Sequence, residues 1–237
     1  MEIALVLAFI FYIGSTFGWI LELFYRRLIS GKKWINPGFL TGPYLPIYGF
    51  GLCMLFGLSL IDMSFVQNPV WQNVLTIVFM GIAMTAIEYV AGIIFIKGMK
   101  VKLWDYTNEW GNIQGIICPK YTFFWCVLGA IYYFFIQTHI VDGVTWFVSN
   151  LQFSFVIGFF FGILTIDIVN SFNLVVKLRK FAKENDILVK FEELKESIRE
   201  DQEKRKEKVN YLFAFKTTRL LPESLLEYKN KYFGKKQ

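Results

Sequence analysis

Every lysine and arginine of this chain falls in one of three windows, 26–33, 97–120 and 177–237, although the sequence holds 25 of them in 237 residues. The stretches between, 1–25, 34–96 and 121–176, carry no base and are mostly apolar. A helix needs about 20 residues to cross a bilayer, so these lengths predict one, two and two crossings. All basic windows then face one side of the membrane. The positive-inside rule makes that side the cytoplasm, with the N-terminus outside and residues 177–237 inside.

A water-soluble chain of this composition is the competing reading, since 55% of the residues are hydrophobic. Burial argues against it. Five apolar helices with 26 Phe, 12 Tyr and 7 Trp in the chain would leave far too much apolar surface in water. A cleaved signal peptide is the next alternative, but no basic segment precedes the run from Ile3 to Tyr25, which exceeds a usual signal core. It reads as an uncleaved first span. Cys53, Cys118 and Cys126 are too few for a disulfide framework or a zinc site.

The expected fold is all-α: a polytopic membrane protein of about five transmembrane helices, with a re-entrant or interfacial loop after the first and a helical cytoplasmic tail. The spans are placed at Ile3–Tyr25, Tyr44–Ile61, Val70–Ile96, Tyr121–Gln137 and from Trp146 onward. External connections are expected at 62–69, where Pro69 suits a first helical turn, and at His139–Thr145 around Asp142-Gly143. Residues 1–176 form the membrane domain and 177–237 the tail. Gly14 with Gly18, and Gly158 with Gly162, are small pairs four apart that permit close helix packing and leave a homo-oligomer open.

The tail carries the whole net charge of +6: it holds 17 Lys and Arg against 11 Asp and Glu, whereas residues 1–176 hold 8 of each. Ile187, Phe191, Leu194 and Ile198 recur at helical spacing, and Glu200–Lys204 and Asp201–Arg205 lie four apart. These features predict an exposed or partner-binding helix, either solvated near anionic headgroups or docked as a short coiled coil.

Ionisable groups inside a bilayer cost several kcal/mol and normally face a cavity, a partner or a substrate. Glu22, Glu88, Asp105 and Asp167 are such groups. At about 1.5 Å per residue, Glu88 lies roughly 13 Å from Lys97, well inside the bilayer, and Glu22 about 6 Å from Arg26. Asn170 and Asn173 follow Asp167 on nearly the same helical face. Glu88, Asp105 and Asp167 are expected to approach one another around an inner-facing cavity.

Two internal loops add candidates. Residues 34–51 hold three prolines and four glycines in an apolar stretch, so no continuous helix starts at Trp34. Irregular backbone at membrane depth survives only where protein or a watery cavity satisfies it. That reasoning singles out Asn36, Gly38, Pro43, Tyr44, Pro46 and Tyr48 as cavity-lining loop residues, against a plain apolar surface turn. The second loop carries Trp104-Asp105-Tyr106, Glu109, Asn112, Gln114 and Gly115, where an aromatic belt is the alternative.

At these residues the chain resembles a known family. Asn36, Gly38, Phe39, Gly42-Pro43-Tyr44 and Pro46-Ile47-Tyr48-Gly49-Phe50-Gly51 are followed by Glu88-Tyr89, Trp104-Asp105-Tyr106, Asn112, Gly115 and Phe124-Trp125. In this order they are similar to the bacterial ABC-transporter type IV membrane proteins, over about residues 10–176. Pro37 stands where the family leads one to expect Arg. The resemblance implies a permease of the bacterial inner membrane, and the basic tail lies outside it.

No Gly-x-x-x-x-Gly-Lys-Ser/Thr loop occurs, so ATP would enter only through a separate nucleotide-binding subunit, and no cofactor is expected in this chain. His139 is the single histidine, so His-based zinc sets and a serine triad lack their parts. No metal site is assigned, and membrane lipids rather than nucleic acid are the expected surroundings. Three classes remain open. The first is transport of a small polar solute or ion through a carboxylate-lined cavity, with Glu22, Glu88, Tyr89, Asp105, Tyr106, Asn112, Asp167 and Asn170 as candidate contacts. The second is a membrane-embedded enzyme using Glu88, Asp105 and Asp167 with a divalent ion. The third is a non-catalytic scaffold recruiting a partner through its tail.

Overall fold

The computed structural model describes residues 2–29, 35–204 and 220–233, without the side chain of Glu2. Trp34, and Arg205 with its expected partnership to Asp201, lie outside the described residues. Among the described residues eight α-helices follow in order: α1 Glu2–Leu28, α2 Pro46–Ser59, α3 Pro69–Ile93, α4 Pro119–Ile131, α5 Gln137–Ser149, α6 Ser154–Glu184, α7 Phe191–Lys204 and α8 Leu221–Phe233. A π-helical turn, Ile94–Met99, extends α3, and another, Tyr132–Ile136, joins α4 to α5.

Among the described residues four helical stretches, Ile3–Leu28, Pro69–Met99, Pro119–Ser149 and Leu151–Glu184, are long and apolar enough to cross a membrane. The expected second span is shorter than Tyr44–Ile61. Helix α2 has 14 residues, about 21 Å of rise against a hydrocarbon core of about 30 Å. Pro46 sets its start, because a proline at the first turn lacks a donor the helix would not use. Its end is closed by the Leu60 N–H donating back to Gly57 O over 3.2 Å.

The connection expected at His139–Thr145 is helix. Residues Pro119–Ser149 run as one apolar helical stretch, and the bend comes at Asn150, whose φ of −131° and ψ of 51° leave the helical region. Asp142-Gly143 permits a turn but does not compel one, since a single glycine costs a helix only about 1 kcal/mol. Thr145 and Ser149 absorb their hydroxyls by donating to the carbonyls of Val141 and Thr145, four residues back. The next helix accordingly starts at Ser154, not at Trp146.

The chain divides into two compact units. The first comprises Met1–Trp19, Tyr44–Ile93 and Asp105–Ile166. Its centre is Leu55, Met80, Met84 and Tyr132, packed by Leu52, Ile87 and Trp125. Gly14 and Gly18 of α1 lie so close to Tyr48 and Leu52 of α2 that a side chain on either would collide. The expected close packing at that pair is thus within the chain. A side chain on Gly158 or Gly162 would meet nothing within 4 Å.

The second unit comprises Ile20–Pro43, Ile94–Trp104 and Asp167–Gln237. Helix α6 runs unbroken through residue 176, where the composition changes. Its buried stripe Leu164, Asp167, Ser171, Val175, Leu178 and Ala182 follows the 3.6-residue period. Strands β1 Val101–Lys102 and β2 Val189–Lys190 pair in parallel, Val101 opposite Val189. Phe191, Leu194 and Ile198 of α7 are buried with Val101, Val175, Leu178, Leu225 and Tyr228. The helix expected to be exposed or partner-binding therefore packs its apolar stripe into its own chain. Burying that stripe needs a matching apolar surface, and residues around 101, far away in sequence, supply it together with 175–182.

Candidate functional site

Glu88 is placed by the face of α3 on which it sits. Thr76, Met80, Gly81, Met84, Glu88 and Gly92 form the buried side of that helix, and Glu88 is only 4% exposed. Its two oxygens are held separately. The Tyr106 hydroxyl donates to Oε1 over 2.9 Å, and the Trp125 indole N–H donates to Oε2 over 2.9 Å. Tyr106 stacks on Tyr121 with ring centroids 4.1 Å apart, while Tyr48 tilts against Trp125 at 5.8 Å. The carboxylate thus sits among aromatic rings.

The loop that delivers Tyr106 is fixed by its own hydrogen bonds. Tyr106 N–H donates to Gly115 O. The Asn112 amide group donates to the carbonyls of Thr107 and Glu109, and its Oδ1 accepts from Gly115 N–H. Gly111 and Gly115 take φ of 65° and 63°, a left-handed conformation that glycine adopts without steric cost. Asp105 closes the start of the same loop by accepting from the N–H and hydroxyl of Thr107.

In the second unit, Asp167 organises the irregular segment between α1 and α2. Its carboxylate accepts the N–H of Thr41 over 3.0 and 3.1 Å and that of Gly42 over 2.8 Å, and Ser171 Oγ donates to it over 3.1 Å. Asn36 ties the segment to itself by donating from its side chain to Leu40 O and Thr41 O. Gly38 takes a left-handed φ of 75°. Protein groups therefore satisfy main-chain groups of Leu40, Thr41 and Gly42 in this non-helical segment.

A family model described as Putative ABC-transporter type IV matches residues 9–172. The chain belongs to this family. No curated protein and no solved structure matches it. The family and the four apolar helices mark a transport-related membrane protein. The matched segment includes Glu88, Tyr106, Trp125, the 36–43 loop and Asp167, and stops before α7.

Of the residues singled out in the sequence, Glu88 and Tyr106 meet directly, and Tyr48 touches them through Trp125. Asp105 is exposed and engaged with Thr107. Asp167 has its own donors in the other unit, so each of the three acids is held by a separate set. Asn170 is exposed while Asp167 and Ser171 are buried, so Ser171, one turn on, is the polar partner on the Asp167 face. Tyr89 is half-buried, next to Glu88 on α3. Glu22 accepts from the Arg26 Nε over 2.7 Å. Tyr44 packs edge-on to Phe160 at 5.6 Å, Pro46 opens α2, and Pro43 is exposed. Among the described residues no three of His, Cys, Asp and Glu gather closely enough to hold a metal ion.

Four residues of these networks were not among the candidate contacts, although Gly42 and Trp125 belong to the family motifs quoted from the sequence. Trp125 is an indole in an apolar helix, and nothing local marks its N–H as the donor to an acid 37 residues away. Thr41 and Gly42 act through main-chain N–H groups, which no residue type announces. Lys195 interrupts the apolar stripe of α7, and that interruption was the available signal.

Proposed function

We propose that this chain is the membrane-embedded, permease-like subunit of a transport system for a small polar or cationic solute. In this reading it has five membrane segments counting α2, its N-terminus outside and its C-terminus in the cytoplasm of a bacterial inner membrane. The loop before α2 is re-entrant or interfacial. A separate nucleotide-binding subunit supplies ATP.

The observation that carries the reading is the Glu88 carboxylate, buried in a span and held by a phenol and an indole. An indole N–H can only donate, so Oε2 stays an acceptor; a phenol can donate or accept. A proton or cation can therefore be taken at Oε1, with the Tyr106 hydroxyl reorienting, while the Trp125 bond stays intact. Surrounding aromatic faces add attraction for a cation. Carboxylates buried in membrane proteins commonly mark such pathways.

Glu88→Gln tests it, because the amide keeps the shape and removes the charge. The variant is expected to insert and remain compact but to lose solute or ion uptake, and native-membrane purification of the parent protein is expected to bring an ATPase subunit with it. Unchanged uptake in the variant, with no ATPase co-purified from the parent, would defeat the reading. The scaffold alternative draws on Asp167, whose carboxylate is engaged in holding Thr41 and Gly42; it expects Glu88→Gln to lower stability first.

A further inference from the structure

We propose that helix α7 is a latch on the loop between α1 and α2, with Lys195 as its positioning residue, so that the tail controls the order of that loop. Lys195 is 2% exposed. Its Nζ donates to the main-chain carbonyls of Asn36 over 2.8 Å and Gly38 over 3.1 Å. Glu192 Oε1 lies 3.1 Å from the same nitrogen, and the Phe191 ring centroid 5.1 Å. Glu192 also binds the guanidinium of Arg26, which in turn pairs with Glu22. Charges of alternating sign thus run from the end of α1 through α7 to the loop.

Burying an ammonium costs several kcal/mol unless well-placed acceptors surround it. Two of the acceptors here are carbonyls of a segment with no helix or sheet of its own, so they are in position only while the loop is ordered. Docking of α7 and ordering of residues 36–38 are consequently one equilibrium. Asp167 anchors the other end of the loop at Thr41 and Gly42 from α6. The two anchors are separable: the Asp167 anchor lies in the family-matched segment 9–172, and the Lys195 anchor lies beyond it. Undocking α7 releases residues 36–38 and leaves 41–42 held. This device stands apart from the transport reading, since it concerns the loop whatever the solute.

The test uses the full chain in detergent or nanodiscs and reads amide hydrogen exchange. Lys195→Met keeps the length and apolar stem but removes the charge, and exchange at Gly38, Phe39 and Leu40 is expected to rise on the order of tenfold or more, as loss of a charged hydrogen bond implies. Exchange in α3 is expected to stay as it was. In Lys195→Ala, added ethylammonium is expected to restore protection, whereas tetramethylammonium, which has no N–H, is not. Should the Lys195 variants fail to fold, Glu192→Gln provides a milder loosening of the same anchor, with a smaller rise confined to the same residues. Unchanged loop exchange in the variant that folds overturns the latch. So does a rise spread evenly over α3, α6 and the loop, which would make Lys195 a general support of the fold.

Discussion

Trp125 on α4 donates its indole N–H to Glu88 on α3 across 2.9 Å, and this bond ties together two helices on either side of the Tyr106 loop. Hydrogen bonds to charged groups contribute about 1.5–3 kcal/mol. Trp125→Phe is expected to lower stability in detergent by roughly 2 kcal/mol. Combined with Glu88→Leu, which removes the acceptor, it should cost less than the two single changes added together, because neighbours that share a bond are not additive. Strict additivity in denaturant unfolding would show that the bond is not formed in the folded protein.

Asp167 serves two main-chain donors and one hydroxyl at once. Asp167→Asn keeps one acceptor oxygen and is expected to cost about 2 kcal/mol, and Asp167→Ala more, because buried N–H groups then lose their partners. Hydrogen exchange at Thr41 and Gly42 should accelerate in that order. Equal exchange in parent and variants would show that these amides find other acceptors.

Tyr228 of α8 is buried, and burial raises its phenol from the ordinary value of 10.0 to about 12, offset in part by the hydrogen bond it accepts from Lys190 N–H. The sign follows directly. The neutral phenol is retained in the fold while the unfolded phenol ionises near 10, so stability is intact below pH 10 and is lost as pH rises from there to about 12. Alkaline unfolding followed by tyrosinate absorbance should show this loss, and Tyr228→Phe should shift the loss to higher pH. A variant that unfolds at the same pH as the parent would assign the transition to another group.

Single cysteines read the orientation. Phe65, between α2 and α3, is expected to react with an impermeant thiol reagent from outside. Asn108, exposed in the connection between α3 and α4, and Glu200 are expected to react only after permeabilisation. Labelling of position 108 in intact cells would reverse the topology.

Ser15 is fully buried on α1, and its hydroxyl finds no partner among the described residues. A buried hydroxyl without a hydrogen bond costs about 1–3 kcal/mol. Ser15→Ala is therefore expected to leave thermal stability unchanged or slightly raised, whereas a side chain on Gly49 opposite it, as in Gly49→Val, should be strongly destabilising because Ser15 Oγ and Phe11 occupy that space. Loss of stability in Ser15→Ala would mean that the hydroxyl is bonded after all.

Much of the candidate site was legible from residue type. Glu88 stood out because charge in an apolar helix is costly, and the 34–51 segment because its prolines and glycines argue against one continuous helix, although Pro46 onward proved to be the start of α2. The donors were not legible. Trp125 and Tyr106 reach Glu88 from 37 and 18 residues away, and Asp167 meets main-chain groups 125 and 126 residues distant. Asn170 was expected beside Asp167 on angular grounds, but a spacing of four to Ser171 matched the buried stripe better than a spacing of three.

The spread of bases and apolar runs determined, without any tertiary information, that this is a helical membrane chain with a charged C-terminal segment, because hydrocarbon and water sort side chains by polarity alone. Helix ends came out less well: α2 is shorter than its apolar run, and the stretch to Ser149 passes through an expected turn, because glycine allows a break that only packing enforces. What the C-terminal segment does was decided by tertiary structure. The stripe of Phe191, Leu194 and Ile198 asked for an apolar surface without saying which, and Val101, Val175 and Leu178 provide it. With α7 seated there, Lys195 comes within hydrogen-bonding reach of carbonyls 157 and 159 residues away, and only the folded chain can set that distance.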